Sequence, residues 1–267
     1  MIKVNDYKLN PTIFPDKTSQ VWNLPSNLLV DPIIVITWDF DHEGEFIHIA
    51  QLVELLRKYE SKIGYRREIR LYIPYMPYAR QDKEISNETT FAGLVFAKLL
   101  DNLDVDEITS VDVHNPKIFE CLTNFRNLSV DHMISDIIKA EKIDIVVFPD
   151  KGARSRYEED IKKWCPSVKI LHCIKIRDQS TGNIEKLEIV GVATFSSGEN
   201  FRYLVADDIC DGGASPIRTA QGLNLQPNDY LIGYFSHCLC TKGTDIIRDA
   251  GYSKLYDYRG LFKDFEK

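Results

Sequence analysis

No apolar stretch of this 267-residue chain comes near the length needed to cross a bilayer. Runs such as Ile33 to Trp38 fall far short of the roughly 20 residues a spanning helix requires. The N-terminus lacks a basic region followed by an apolar core, so no secretory leader is expected. Nor is there an excess of positive charge: 33 basic residues face 40 acidic ones, a net charge of -7. That excludes a broad electrostatic footprint for nucleic acid. Cysteine is scattered, with six residues at positions 121, 165, 173, 210, 238 and 240 and none in CxxC spacing. A chain of this size does not need disulfide staples, so reduced thiols are expected. Low-complexity tracts and short repeats are missing too. These absences predict a soluble, cytoplasmic protein with neither nucleic acid nor membrane as a partner. Anions must then be gripped locally, by loops and metal.

What is present is alternation. Short β-branched or aromatic runs at Ile33 to Trp38, Ile69 to Ile73, Ile108 to Val113, Ile143 to Phe148, Val168 to Ile174, Tyr203 to Ala206 and Tyr230 to Ser236 read as strands. Between them, Phe46, Ile49, Leu52, Val53 and Leu56 share one helical face, as do Phe91, Leu94, Val95 and Leu99. This order predicts an α/β fold of mainly parallel sheets flanked by helices. The length favours two domains. The polar interruption at Asn124 to Val130 places their boundary, giving domains 1–128 and 129–267.

The chemistry-bearing residues follow strand ends, where open α/β sheets gather their ligands. Val205-Ala-Asp-Asp-Ile-Cys-Asp-Gly-Gly-Ala-Ser215 runs from a strand into two carboxylates and a small-residue loop that opens a helix. Asp207 and Asp208 can accept hydrogen bonds from vicinal ribose hydroxyls. The N–H groups of Asp211, Gly212, Gly213, Ala214 and Ser215 can cradle a phosphate. Asp and Gly also suit an ordinary turn with a capping carboxylate, so this stretch alone leaves both readings open. Arg80-Gln81-Asp82 offers a guanidinium, an amide and a carboxylate in succession after another strand. His114 closes Ser110-Val-Asp-Val-His114, and Asp150-Lys-Gly-Ala-Arg-Ser-Arg156 follows a fourth strand. Lys83 to Thr90 is polar and aperiodic, an exposed loop that serves as either a lid or a plain connection. Cys238-Leu-Cys240 beside His237 puts two thiols on one strand face without metal-site spacing, which makes a metal centre the weaker reading.

Taken together, these segments resemble the ribose-phosphate diphosphokinases, or phosphoribosyl pyrophosphate synthetases. The resemblance runs from about Phe14 to about Gly243, with six motifs in the family's order. It implies two tandem phosphoribosyltransferase-like domains with the active site between them, the first binding ATP and the second ribose phosphate. The last residues would be available to pack on the N-terminal domain. It also implies homo-oligomers, from dimers to hexameric rings, and transfer of the β,γ-pyrophosphoryl group of Mg-ATP to an anomeric hydroxyl. By resemblance, Lys175 and Arg177 are catalytic, while Arg80, Gln81 and Asp82 bind ATP. Phe14 and Asp16 reach a neighbouring subunit's adenine, with a core position for Phe14 as the alternative. Asp150, Lys151, Gly152, Ala153 and Arg154 form the pyrophosphate loop, and Asp207, Asp208 and Asp211 to Ser215 bind the ribose phosphate. His114 and Asp150 contact Mg²⁺, His114 through water if at all, and His237 has at most a supporting place.

Departures from the family leave the acceptor open. Its sugar-phosphate loop usually reads Asp-Thr-x-Gly-Thr, whereas here it is Asp211-Gly-Gly-Ala-Ser215. Gly212 either lets the backbone approach a 5-phosphate or makes room for a substituent on it, as in ADP-ribose. The 83–90 loop carries Glu84, Ile85 and Glu88 where basic residues are usual. Only a short segment precedes Phe14, where the family typically has a strand and helix, which points to a compact divergent branch. A noncatalytic regulatory relative is the alternative of another class, against which Lys175, Arg177, His114 and Asp150 speak. A phosphoribosyltransferase would share Asp207-Asp208 but has no use for Tyr78 to Asp82.

Overall fold

In the computed structural model, residues 1–84, 86–177, 184–191 and 200–266 are described, those at 175–177 and 184–187 by backbone alone. Ile85 and the side chains of Lys175 and Arg177 lie outside the described residues. The chain divides into two compact units, Met1–Leu128 and Ser129–Lys267. Among the described residues, no helix is long and apolar enough to cross a membrane.

The first unit begins with β1 (Ile2–Val4), β2 (Tyr7–Lys8), β3 (Thr12–Ile13) and β4 (Ser19–Gln20). It continues with β5 (Ile33–Trp38), α1 (Glu45–Ile63), β6 (Glu68–Ile73), α2 (Ala92–Asp101), β7 (Glu107–Val111), a 3-10 turn (Pro116–Phe119) and β8 (Phe125–Leu128). Its main sheet runs β2-β1-β5-β6-β7-β8. β5 to β8 are parallel, while β1 lies antiparallel on β5. The residues before Phe14 add a strand pair, β1 and β2, to the sheet. The interruption at Asn124 to Val130 contains an edge strand, β8, that its polar composition hides: only Phe125 is partly buried, and Arg126, Asn127 and Leu128 are exposed.

α1 buries Ile49, Leu52, Val53 and Leu56, the stripe read from the sequence, and stops at Gly64. Gly64 adopts φ 79° and returns its N–H to the Glu60 carbonyl, a left-handed cap that glycine takes without steric cost.

The second unit comprises α3 (Asp131–Ala140), β9 (Ile145–Phe148), α4 (Lys151–Trp164), β10 (Lys169–Arg177), β11 (Ile184–Val190), β12 (Arg202–Cys210), α5 (Ala214–Leu223), β13 (Tyr230–Cys238), α6 (Asp245–Arg248), β14 (Tyr252–Asp257) and β15 (Gly260–Asp264). The strand order is β11-β10-β9-β12-β13-β14-β15. The five inner strands are parallel and the two outer ones antiparallel. Central β9 is Ile-Val-Val-Phe with all four side chains buried, as expected of a strand covered on both faces. Glu141, at the end of α3, ties that helix to the sheet. It accepts from Lys254 at 2.8 Å and Arg202 at 3.0 Å, and from the Tyr256 hydroxyl.

Candidate active site

Within the first unit, the residues singled out at the ends of β6 and β7 converge. Tyr78 holds a left-handed φ of 61°, and the Gln81 N–H donates to the Tyr78 carbonyl at 3.0 Å. That turn rests on the start of α2, where the Gly93 N–H donates to the Gln81 carbonyl at 3.1 Å. A Cβ on Gly93 would lie 2.9 Å from that carbonyl oxygen and 3.0 Å from the Tyr78 one, so close approach requires glycine there. Asn115 donates to Asp82 at 3.1 Å, which fastens the Arg80-Gln81-Asp82 turn to the segment carrying His114. His114 itself lies three residues beyond the end of β7, in a loop rather than on the strand. The Tyr78 hydroxyl is hydrogen-bonded to Glu43, and burial together with that carboxylate pushes the phenol up to about 12.

Phe14 and Asp16 sit apart from this group, on the tip of the β3–β4 hairpin. Phe14 is half-buried with its ring edge-on to Trp22 at 6.0 Å, outside the main core. Asp16 is exposed and accepts from the Thr18 hydroxyl at 2.7 Å and its N–H at 3.0 Å. Those bonds hold its carboxyl below the ordinary range.

Within the second unit, adjacent β9 and β12 bring Asp150, Asp207 and Asp208 to one end of the sheet. The segment read as a pyrophosphate loop is largely the first turn of α4. Lys151 to Arg154 are helical, and the Asp150 carboxylate caps them by accepting from the N–H groups of Gly152 at 2.9 Å and Ala153 at 3.1 Å. Asp208, only 4% exposed, pairs with Arg156 at 3.5 Å. Burial first, then the charges of Asp208 and Asp150, push the Asp207 carboxyl well above its ordinary value.

Arg154 turns elsewhere: it pairs with Glu158 at 2.5 Å and lies 3.3 Å from the His172 ring. Its hydrogen bond, against the effect of burial, holds Glu158 down at about 2. Asp150, Lys151, Arg154, Ser155, Glu158 and His172 line a cavity of about 570 Å³ beside β10. The backbone of Lys175-Ile-Arg177 continues β10, but its register against β11 shifts between Ile176 and Arg177.

The Asp211 to Ser215 loop differs from the α4 turn in one respect. No side chain caps α5, whose N-cap is Gly213 at φ 76°. Its first N–H groups therefore face outward without a carboxylate of their own, the arrangement an anion needs. The segment after β13 braces this loop: the Thr241 N–H donates to the Asp211 carbonyl at 3.1 Å and the Thr241 hydroxyl to the Asp211 carboxylate at 2.7 Å. A Cβ on Gly212 would meet only the Lys242 side chain, at 3.6 and 3.9 Å.

Thr241 and Lys242 escaped the sequence reading as site residues, and nothing local marks them. Arg156, read only as flanking the pyrophosphate loop, faces Asp208 instead. His237, 5% exposed, packs against Tyr258. Among the described residues, the His/carboxylate group compact enough for an ion is Asp41, His42 and Glu45, and Glu45 already holds Met1, Trp38 and the Asp41 N–H.

Two parallel-sheet units with carboxylates, an uncapped helix start and cations at their strand ends define a phosphoribosyltransferase-like α/β architecture. No protein-family model matches the chain. It is 26% identical over 255 residues to the ribose-phosphate pyrophosphokinase of Mycoplasmopsis pulmonis, covering 93% of this chain and 75% of that one. It is 26% identical over 214 residues to that of Hyphomonas neptunium, covering 78% and 64%. The chain thus spans about two thirds to three quarters of these relatives' lengths. The crystal structure of the phosphoribosylpyrophosphate synthetase from Mycobacterium smegmatis shares the fold, with TM-score 0.72 and 17% identity over 97% of this chain and 83% of that one. The chain thus resembles ribose-phosphate pyrophosphokinases in sequence at low identity and shares its fold with a phosphoribosylpyrophosphate synthetase.

Proposed function

We propose that this protein is an ATP-dependent diphosphokinase that transfers the β,γ-pyrophosphoryl group of Mg-ATP to the anomeric hydroxyl of ribose 5-phosphate, releasing AMP. The observation that carries this reading is the pairing, on one strand-loop-helix of the second unit, of the half-buried Asp207 and buried Asp208 with the uncapped start of α5. The first suits a diol, the second a phosphate on the same sugar. In this assignment Asp207 and Asp208 accept from the ribose hydroxyls, with Arg156 holding Asp208 in place. The N–H groups of Gly213, Ala214 and Ser215 bind the 5-phosphate, helped by the Lys242 ammonium.

The α4 turn and its cavity receive the pyrophosphoryl group, with Lys151 and Arg154 as nearby cations. Arg80, Gln81 and Asp82 bind the nucleotide. Phe14 and Asp16, on a projecting hairpin, reach the adenine of a neighbouring subunit in a homo-oligomer. Lys175 and Arg177 neutralise charge on the transferred group, since this chemistry is mostly positioning and electrostatics. Asp150 and His114 are the assigned Mg²⁺ contacts. When bound, the ion supplies charge neutralisation on the nonbridging oxygens.

A second reading has the same chemistry with ADP-ribose as acceptor. The open side of Gly212, bordered by a flexible lysine alone, favours it. The deciding experiment incubates the protein with Mg-ATP and either acceptor, resolving products by mass. Faster AMP release with ribose 5-phosphate upholds the first reading and with ADP-ribose the second. Absence of AMP with both rejects the activity.

A further inference from the structure

We propose that Cys240 is a thiol modification site that exchanges with a small disulfide and then closes onto Cys210, shifting the segment that braces the Asp211 to Ser215 loop. Three of the six cysteines meet here. Cys210 ends β12 and Cys238 ends β13, as register partners on neighbouring parallel strands. Cys240 follows on a left-handed turn with φ 45°. Its N–H donates to the Cys210 carbonyl at 2.9 Å, which keeps the two α-carbons at a spacing from which a disulfide can close.

Cys240 is half-buried and reachable, whereas Cys210 is 1% exposed. The neighbouring Cys210 and Cys238 side chains lower the Cys240 thiol's pKa, whereas Cys240 and burial raise that of Cys210. The accessible sulfur is therefore the attacking one. Cys210 is the better resolving partner. The Cys238 thiol is engaged with the carbonyls of Phe235 and Tyr256, both at 3.7 Å. It is also two residues from Cys240, and closing that ring would strain the turn.

The reaction balances with a low-molecular-weight disulfide as oxidant. The Cys240 thiolate attacks one of its sulfurs and expels a thiolate. Cys210 then attacks the Cys240 sulfur, expelling the second thiolate, which takes the Cys210 proton. Two protein thiols are oxidised and two small thiols released. The bridge draws the Cys240 backbone toward β12, and with it Thr241, whose hydroxyl and N–H hold Asp211.

The test treats the reduced full-length protein with oxidised glutathione, then applies peptide mass mapping and measures inorganic phosphate affinity with and without dithiothreitol. The expected result is a Cys210–Cys240 crosslinked peptide. Cys210→Ala should stop at glutathione on Cys240, and Cys240→Ser should give neither product. Phosphate affinity should fall about fivefold on bridging, the equivalent of one lost hydrogen bond, and recover on reduction. Modification confined to exposed Cys121, a Cys238–Cys240 bridge, or a bridge with unaltered phosphate affinity overturns the proposal. None of these readouts needs ATP turnover, so failure of the assigned activity leaves them decisive. A protein that binds no phosphate in either redox state rejects the assigned loop together with its regulation.

Discussion

Gly212 and Gly213 are neighbours in the same loop, yet the structure predicts opposite responses to a single added methyl. Gly213 sits at φ 76°, and a Cβ there would lie 2.9 Å from the δ-methyls of both Ile246 and Ile247. A left-handed backbone costs an L-residue roughly 1–2 kcal/mol, and overpacking typically adds about 1–3 kcal/mol. Ile247 is 1% exposed and has little room to retreat. Gly213→Ala should therefore destabilise the second unit by roughly 2–5 kcal/mol, combining these effects. At Gly212 the nearest atoms are 3.6 and 3.9 Å away on an exposed lysine, so Gly212→Ala should stay within about 0.5 kcal/mol of the parent. Urea titration, with hydrogen exchange of peptides from 129–267 to isolate that unit, measures both. Equal losses for the two variants would refute the loop geometry on which the phosphate assignment stands. Gly212→Thr, sterically permitted for the same reason, should favour ribose 5-phosphate over ADP-ribose by restoring a hydroxyl and filling the open side.

Lys242→Ala should raise KM for the phosphorylated acceptor about tenfold, the loss of one charge-assisted hydrogen bond, with kcat little changed; a lowered kcat at unaltered KM would contradict a binding role. Lys175→Ala should abolish AMP release while leaving equilibrium ATP binding in place, and unchanged turnover would remove Lys175 from the chemistry. Asp207 has a raised folded pKa from burial and its neighbours, so the stability it contributes is present below the unfolded pKa and lost as pH rises through the folded one. Asp207→Asn should then be more stable than the parent at neutral pH while losing acceptor binding, as thermal scans against pH will reveal. Burial alone would raise the Glu141 carboxyl, but Lys254 and Tyr256 bring it below its ordinary value. Its contribution is present above the unfolded pKa and lost as pH falls through the folded one. Glu141→Gln should cost about 2 kcal/mol at neutral pH, and progressively less on acidification.

The parallel strands were legible because their burial on two faces demands uninterrupted apolar runs, as in Ile145 to Phe148. The edges were not. Phe125-Arg-Asn-Leu128 satisfies its backbone on one neighbour only and carries no apolar period. The strand at Ile2 to Val4 was not read for a similar reason, since it is too short to show alternation. At the site, residues contiguous in sequence were visible as groups, whereas those contributed by a separate segment, such as Lys242 over Gly212, become neighbours only when β12 and β13 align. Asp150 was found as a carboxylate after a strand, but its attachment to the α4 N–H groups depends on where the helix begins, which composition does not specify.

That attachment sets a condition on what can occupy the α4 turn. An anion arriving alone must evict the Asp150 carboxylate from Gly152 and Ala153, trading one negative group for another and stranding the displaced one beside Asp207 and Asp208. An anion that brings its own divalent cation gives the evicted carboxylate a new counter-charge in the same event. On the proposed assignment, the turn would reject bare polyphosphate and admit the metal complex, a filter that operates before any bond is broken.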